Sequence, residues 1–138
     1  MADHHHAYMW LGAGSALGKD GPRRPMHAEF RSTQVVPLEI ADWLLKPASA
    51  IVDTFFDAQA GADWLAKQIE QHVDAIESEH DREAAVIVHR VKAARDTLQR
   101  GEDVAMGWYL RGQRFLSLCL VGCSPNSFRP DRSCPQRS

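Results

Sequence analysis

Residues 102–122 read EDVAMGWYLRGQRFLSLCLVG, and the folding of this stretch decides the architecture of the chain. Taken as a helix, it gathers Val104, Trp108, Phe115, Leu118 and Cys119 on one broad apolar side. Arg111 and Arg114, three apart, then project together. Gly107 and Gly112 are the discordant residues, each costing a helix interior about 1 kcal/mol relative to Ala. They mark close helix approach or a bend.

Upstream, Gly101 is a good helix stop. Before it, DREAAVIVHRVKAARDTLQR (81–100) repeats apolar residues at Ala84, Ile87, Val91, Ala94 and Leu98. ADWLAKQIEQHVDAIESE (62–79) does the same with Leu65, Ile69, Val73 and Ile76. The spacings of three and four make a heptad-like seam suited to antiparallel packing. Ser78 or Asp81 is a fitting cap for a new helix, but no Gly or Pro intervenes. A hairpin and one continuous helix both remain open. PLEIADWLLK (37–46) places Leu38, Ala41, Leu44 and Leu45 on one helical face, and PASAIVDTFFDAQA (47–60) resumes after Pro47. The expected fold is all-α: a four- or five-helix bundle over residues 37–121. An irregular N-terminal arm (1–36) and an irregular Cys/Pro-containing C-terminal tail (122–138) flank it.

The length of 138 residues suits one domain, and 44% apolar with 25% charged residues is ordinary for a soluble protein. The net charge of -2 argues against wholesale polyanion binding. The charge is uneven. Residues 35–105 hold seven basic and fourteen acidic side chains, whereas residues 106–138 hold five arginines and one aspartate. Such a basic tail is expected to dock on the acidic body, on a second copy or on an acidic partner. No apolar run reaches membrane-span length, and the expected location is the cytoplasm. The excess of Arg over Lys and the abundant Ala suit a high-GC genome.

YMWLGAGSALGKDG (8–21) has the look of a phosphate loop, but the requirements fail one by one. Ala13 stands where the first glycine belongs, and Asp20 stands where a metal-binding hydroxyl belongs. GPRRP (21–25) prevents the helix whose amides would meet the phosphate. The dinucleotide pattern fails at Leu17. The segment reads as a flexible arm, with Tyr8, Met9, Trp10 and Leu11 as an apolar anchor in a groove of the bundle or of a partner.

Three groups of residues carry possible metal chemistry. His4, His5 and His6, placed on a flexible arm, bind divalent ions weakly and without geometry. Cys123 and Cys134 make C-x3-C-x10-C with Cys119, which packing explains better. A zinc site on this cysteine set, with Cys123 and Cys134 as its candidates, lacks one ligand, which His27 or the histidine arm could supply. In an oxidising compartment the same pair suits a disulfide. Glu77-x-x-His80, extended by Glu83, is the kernel of a carboxylate-bridged di-metal site, with Glu39 or Glu102 as bridges.

The aromatic residues suggest contacts. Trp43, Trp64 and Trp108 read as core or interface. Trp108 and Tyr109 beside Arg111 and Arg114, with Arg129 and Arg132, form a possible base-stacking and phosphate-clamping set. IADWLLKPASAIVDTFF has a helix-turn-helix silhouette, but its second helix is acidic and apolar. The leading expectation is a non-enzymatic interaction or regulatory protein that self-associates as a homodimer. Its contacts are expected at Tyr8, Trp10, Trp108, Arg111 and Arg114, with no cofactor. The alternatives are a metal-binding helical protein, with zinc as cofactor, and a nucleic-acid binder using the C-terminal arginines.

Overall fold

Residues 104–123 form a β-hairpin, not a helix. In the computed structural model, which describes residues 1–136, strands β3 (Val104–Leu110) and β4 (Arg114–Cys123) pair antiparallel, with Leu110 opposite Arg114. The three-residue turn between them needs left-handed backbone. Gly112 (φ 84°) and Gln113 (φ 61°) both adopt it. Gly107 has its own reason: a Cβ there would collide with the Phe115 ring, which lies across it. The two glycines that argued against a helix interior are therefore hairpin residues.

The rest of the sheet comes from far away in sequence. Strand β1 (His4–Ala13) pairs with β4 along its whole length, from His4 opposite Cys123 to Ala13 opposite Arg114. The short β2 (Asp53–Phe55) pairs with the other edge of β1. The order is β2-β1-β4-β3, antiparallel throughout. Three α-helices, α1 (Ala58–His72), α2 (Glu79–Arg82) and α3 (Ala84–Gln99), lie between β2 and β3 in sequence. The expected all-α helical bundle is thus overturned by a four-stranded sheet. Within the expected irregular N-terminal arm, residues 4–13 are instead an inner strand of that sheet.

The amphipathic seam does form helices. Leu65 and Ile69 of α1, with Ala94 and Leu98 of α3, are buried. The connection is a break and not a continuous helix. It comprises a 3-10 turn (Val73–Ala75), a short α2 whose cap Ser78 accepts from the Asp81 amide, and a fresh start at Ala84. The seam packs on one face of the sheet, against Ala7, Val104, Met106, Trp108, Leu110, Leu116, Leu118 and Leu120. Each fully buried Leu, Ile or Met on this face is stabilised by about 1.5–3 kcal/mol relative to exposure.

The opposite face is covered by chain without α-helix. Residues 14–50 contain only 3-10 turns, including Ile40–Leu45 where a helix was expected. Segment 47–57 gives a further 3-10 turn and β2, so the helix-turn-helix silhouette has no counterpart. Val36, Trp43 and Leu44 pack on Tyr8, Cys119, Val121 and Cys123, and the Tyr8 and Trp43 rings stack at 4.7 Å. Side chains supply the cross-links that regular backbone bonding would otherwise give. Arg23 donates to the carbonyls of Val36 and Leu17, and the buried Lys46 ammonium donates to those of Phe30 and Thr33. The tail lies on this layer. Arg132 pairs with the buried Asp42 at 2.9 Å, Arg129 pairs with Glu39 at 2.6 Å, and Asn126 donates to Asp103 and to the Gly122 carbonyl. The basic tail thus docks on the acidic body of its own chain. No helix among the described residues is long and apolar enough to cross a membrane.

Candidate metal centre

Alternation along β1 sends His4 and His6 to one face of the sheet and His5 to the other. His5 meets the Glu102 carbonyl through Nε2 at 2.9 Å. His4 and His6 face the 3-10 layer. Antiparallel register sets Cys123, at the end of β4, directly opposite His4. Cys134 arrives from the tail. One donor atom from each of His4, His6, Cys123 and Cys134 lies within 4.8 Å of every other.

The individual spacings are informative. His4 Nε2 lies 3.2 Å from His6 Nε2, 3.1 Å from Cys123 Sγ and 3.6 Å from Cys134 Sγ. His6 Nε2 lies 3.3 Å from Cys134 Sγ. A tetrahedral ion with ordinary zinc bond lengths separates two nitrogens by about 3.3 Å and a nitrogen from a sulfur by about 3.5 Å. Four of the six separations therefore match those of a zinc-sized tetrahedron, and the other two lie within 4.8 Å. Both cysteines are free thiols, so the disulfide expected for an oxidising compartment is not formed.

The surroundings suit ligation. Thr54 of β2 sits 2.8 Å from His6 Nδ1 through its hydroxyl. An Nδ1–H donated to that oxygen leaves the Nε2 lone pair facing the cluster, the usual outer support of a metal-bound imidazole. Burial, reinforced by His4 and His5, pushes the His6 imidazole down to about 4, which keeps it neutral. Burial pushes the Cys123 thiol up to about 12, with Cys134 adding to the effect. A free thiolate is thereby disfavoured, and a cation bound here would have to displace the thiol proton. The Tyr8 hydroxyl is buried on the same face with no hydrogen-bond partner among the described residues. Burial first, then Cys123 and Cys134, hold it protonated.

The other candidate residues lie elsewhere. Glu77, His80 and Glu83 are exposed around the connection between α1 and α3, and no metal-holding group forms there among the described residues. His27 accepts from the Glu29 amide and stands apart from the cluster. Cys119 is core, beside Ser117. Trp108 is buried on the helix face, with the Arg90 guanidinium 4.8 Å from its ring centre, whereas Tyr109 is exposed on the opposite face. Arg111 donates to the Asp74 carbonyl, Arg114 is exposed, and Arg129 and Arg132 are paired with carboxylates. The arginines and the two aromatics are thus not gathered in one place. Tyr8 is buried under Trp43, and Trp10 is half-buried near Phe115.

The cysteine half of the cluster is visible in the sequence by residue type, whereas the histidine arm is visible only as one of two ligand sources, without geometry. The missing signal is period two. Once residues 4–13 are a strand, H-x-H is two ligands on one face. Comparison with family models, with curated proteins and with solved structures found no match in any of the three.

Proposed function

We propose that this chain is a non-enzymatic zinc-binding protein, holding one ion through His4, His6, Cys123 and Cys134. The observation that carries the reading is the convergence of four donor atoms within 4.8 Å, with four of their six separations at tetrahedral zinc spacings. Two thiolates and two imidazoles are a donor set that selects zinc over harder ions such as magnesium or calcium. Four protein ligands fill a tetrahedral shell and leave no position for substrate or a reactive water. The ion's role is then structural or regulatory. It ties the first strand, the end of the last strand and the tail to one point. Occupancy by metal thereby governs how firmly the tail and the 3-10 layer are held. Free thiols acting as ligands suit a reducing compartment such as the cytoplasm.

Elemental analysis of the full chain, purified without an affinity tag and dialysed, tests the reading. The expected result is one zinc per chain, lost in Cys134→Ser and in His6→Ala. A chain that carries no stoichiometric metal, and takes up none from added zinc, overturns it.

A further inference from the structure

The two edges of the sheet differ. Strand β2 offers only three residues and begins with a charged Asp53. Strand β3 offers seven residues with no charge and no proline. At one end of β3 the edge is already used: the Glu77 amide donates to the Tyr109 carbonyl, and the Arg111 amide donates to the Ala75 carbonyl. These bonds fix the parity of the strand, because the N–H and C=O of one residue point to the same side. The odd-numbered residues point outward. Ala105 and Gly107 therefore present both N–H and C=O away from β4, and neither has a partner among the described residues. A row of free donors and acceptors is a template for another strand.

A groove flanks this edge on each side. On the 3-10 face, Leu17, Val36, Pro37, Leu38 and Phe115 wall a groove of about 270 Å³ floored by Ala105 and Gly107. On the helix face, His89, Arg90, Ala93 and Thr97 of α3 wall a groove of about 320 Å³ beside Val104 and Met106. A strand added to β3 sends alternate side chains into the two grooves. The first groove is lined mainly by apolar side chains, together with Ser117 and with Arg23, whose guanidinium is held by the Val36 and Leu17 carbonyls. The second carries Arg90, which lies over Trp108 and has no carboxylate partner among the described residues, and the exposed His89; Asp103 also lines it, its carboxylate already accepting from the Gly122 amide and Asn126.

We propose that the outer edge of β3 binds an extended segment of a partner protein by strand addition, and that this segment alternates large apolar with acidic side chains. Main-chain bonds to Ala105 and Gly107 supply the attachment, and the two grooves supply the choice of sequence. The site is separate from the His/Cys cluster and does not depend on it.

Titration of the isotope-labelled full chain, followed by amide resonances, tests this. The probe is a capped seven-residue peptide of alternating isoleucine and glutamate. Saturable shifts are expected at Ala105 and Gly107. Replacing the glutamates with lysine is expected to weaken binding about tenfold, the equivalent of one charge-assisted contact. Arg90→Glu reverses that preference. Methylating the bonding amides of the peptide abolishes binding. Ala105→Pro abolishes it too, although its N–H serves no existing ladder bond, and unchanged α1 and α3 resonances report that this variant is folded. Equal binding of the lysine peptide, or no shift at millimolar peptide, overturns the proposal. Concentration-dependent shifts of the same amides in the chain alone also overturn it, because they identify a second copy as the occupant.

Discussion

The two faces of the sheet are held by different means. On one face, α1 and α3 satisfy their own backbone and contribute Leu65, Ile69, Ala94 and Leu98 to a mainly aliphatic core. On the other, residues 14–50 and the tail form a layer with 3-10 turns and no α-helix or strand. That layer depends on point attachments: Arg23 and Lys46 on carbonyls, Arg132 on Asp42, the Tyr8–Trp43 stack and the His/Cys cluster. A face covered by helices tolerates the loss of a polar contact. A face covered by irregular chain is only as ordered as its attachments.

The contrast has measurable consequences. Leu118→Ala opens a cavity in the fully buried helix face and is expected to cost about 2–5 kcal/mol in denaturant unfolding. A cost below that range removes the claim that this face carries the global stability. Asp42→Ala strips Arg132 of its buried carboxylate and is expected to cost about 1.5–3 kcal/mol. Amide exchange should rise in the tail and around residues 40–46, and not in α1 or α3. Thr54→Val takes away the hydroxyl beside His6 Nδ1 and is expected to weaken zinc binding about 10–100-fold in competition with a chelator. Unchanged affinity would mean that the imidazole is oriented by packing alone. Arg129→Ala breaks an exposed pair with Glu39 and should shift stability by less than about 1 kcal/mol. A larger loss there would mean that the tail is held mainly by its surface charges.

Removing the metal separates the two faces most sharply. Chelation is expected to accelerate amide exchange in residues 124–136 and 30–46 while α1 and α3 stay protected. Uniform loss of protection would make the two faces one cooperative unit.

The helix-covered face was partly legible in the sequence. Leu65, Ile69, Ala94 and Leu98 recur at helical spacing and are buried where that spacing puts them. The sheet was not. Strand β3 does alternate, with Val104, Met106, Trp108 and Leu110 inward, but β4 is buried on both sides. A strand buried on both sides reads as an unbroken apolar run, which a helix fits as well. Gly112 then passes for a costly helix residue, although it and Gln113 make the turn. Strand β1 has no local partner: it pairs with β4 more than a hundred residues later, and short-range patterns carry nothing of that. The same distance hides the metal cluster. Cys123 and Cys134 stand out by type, but His4 and His6 become geometric ligands only after β1 has been placed beside β4.

The central claim is that one ion on two histidines and two cysteines clasps the irregular layer and the tail to the sheet. X-ray absorption at the zinc edge of the full-length protein tests it most directly. The account predicts two nitrogens at about 2.0–2.1 Å and two sulfurs at about 2.3 Å, with one sulfur lost in Cys134→Ser. A first shell of nitrogen and oxygen alone, or a sulfur count unmoved by that substitution, would contradict it.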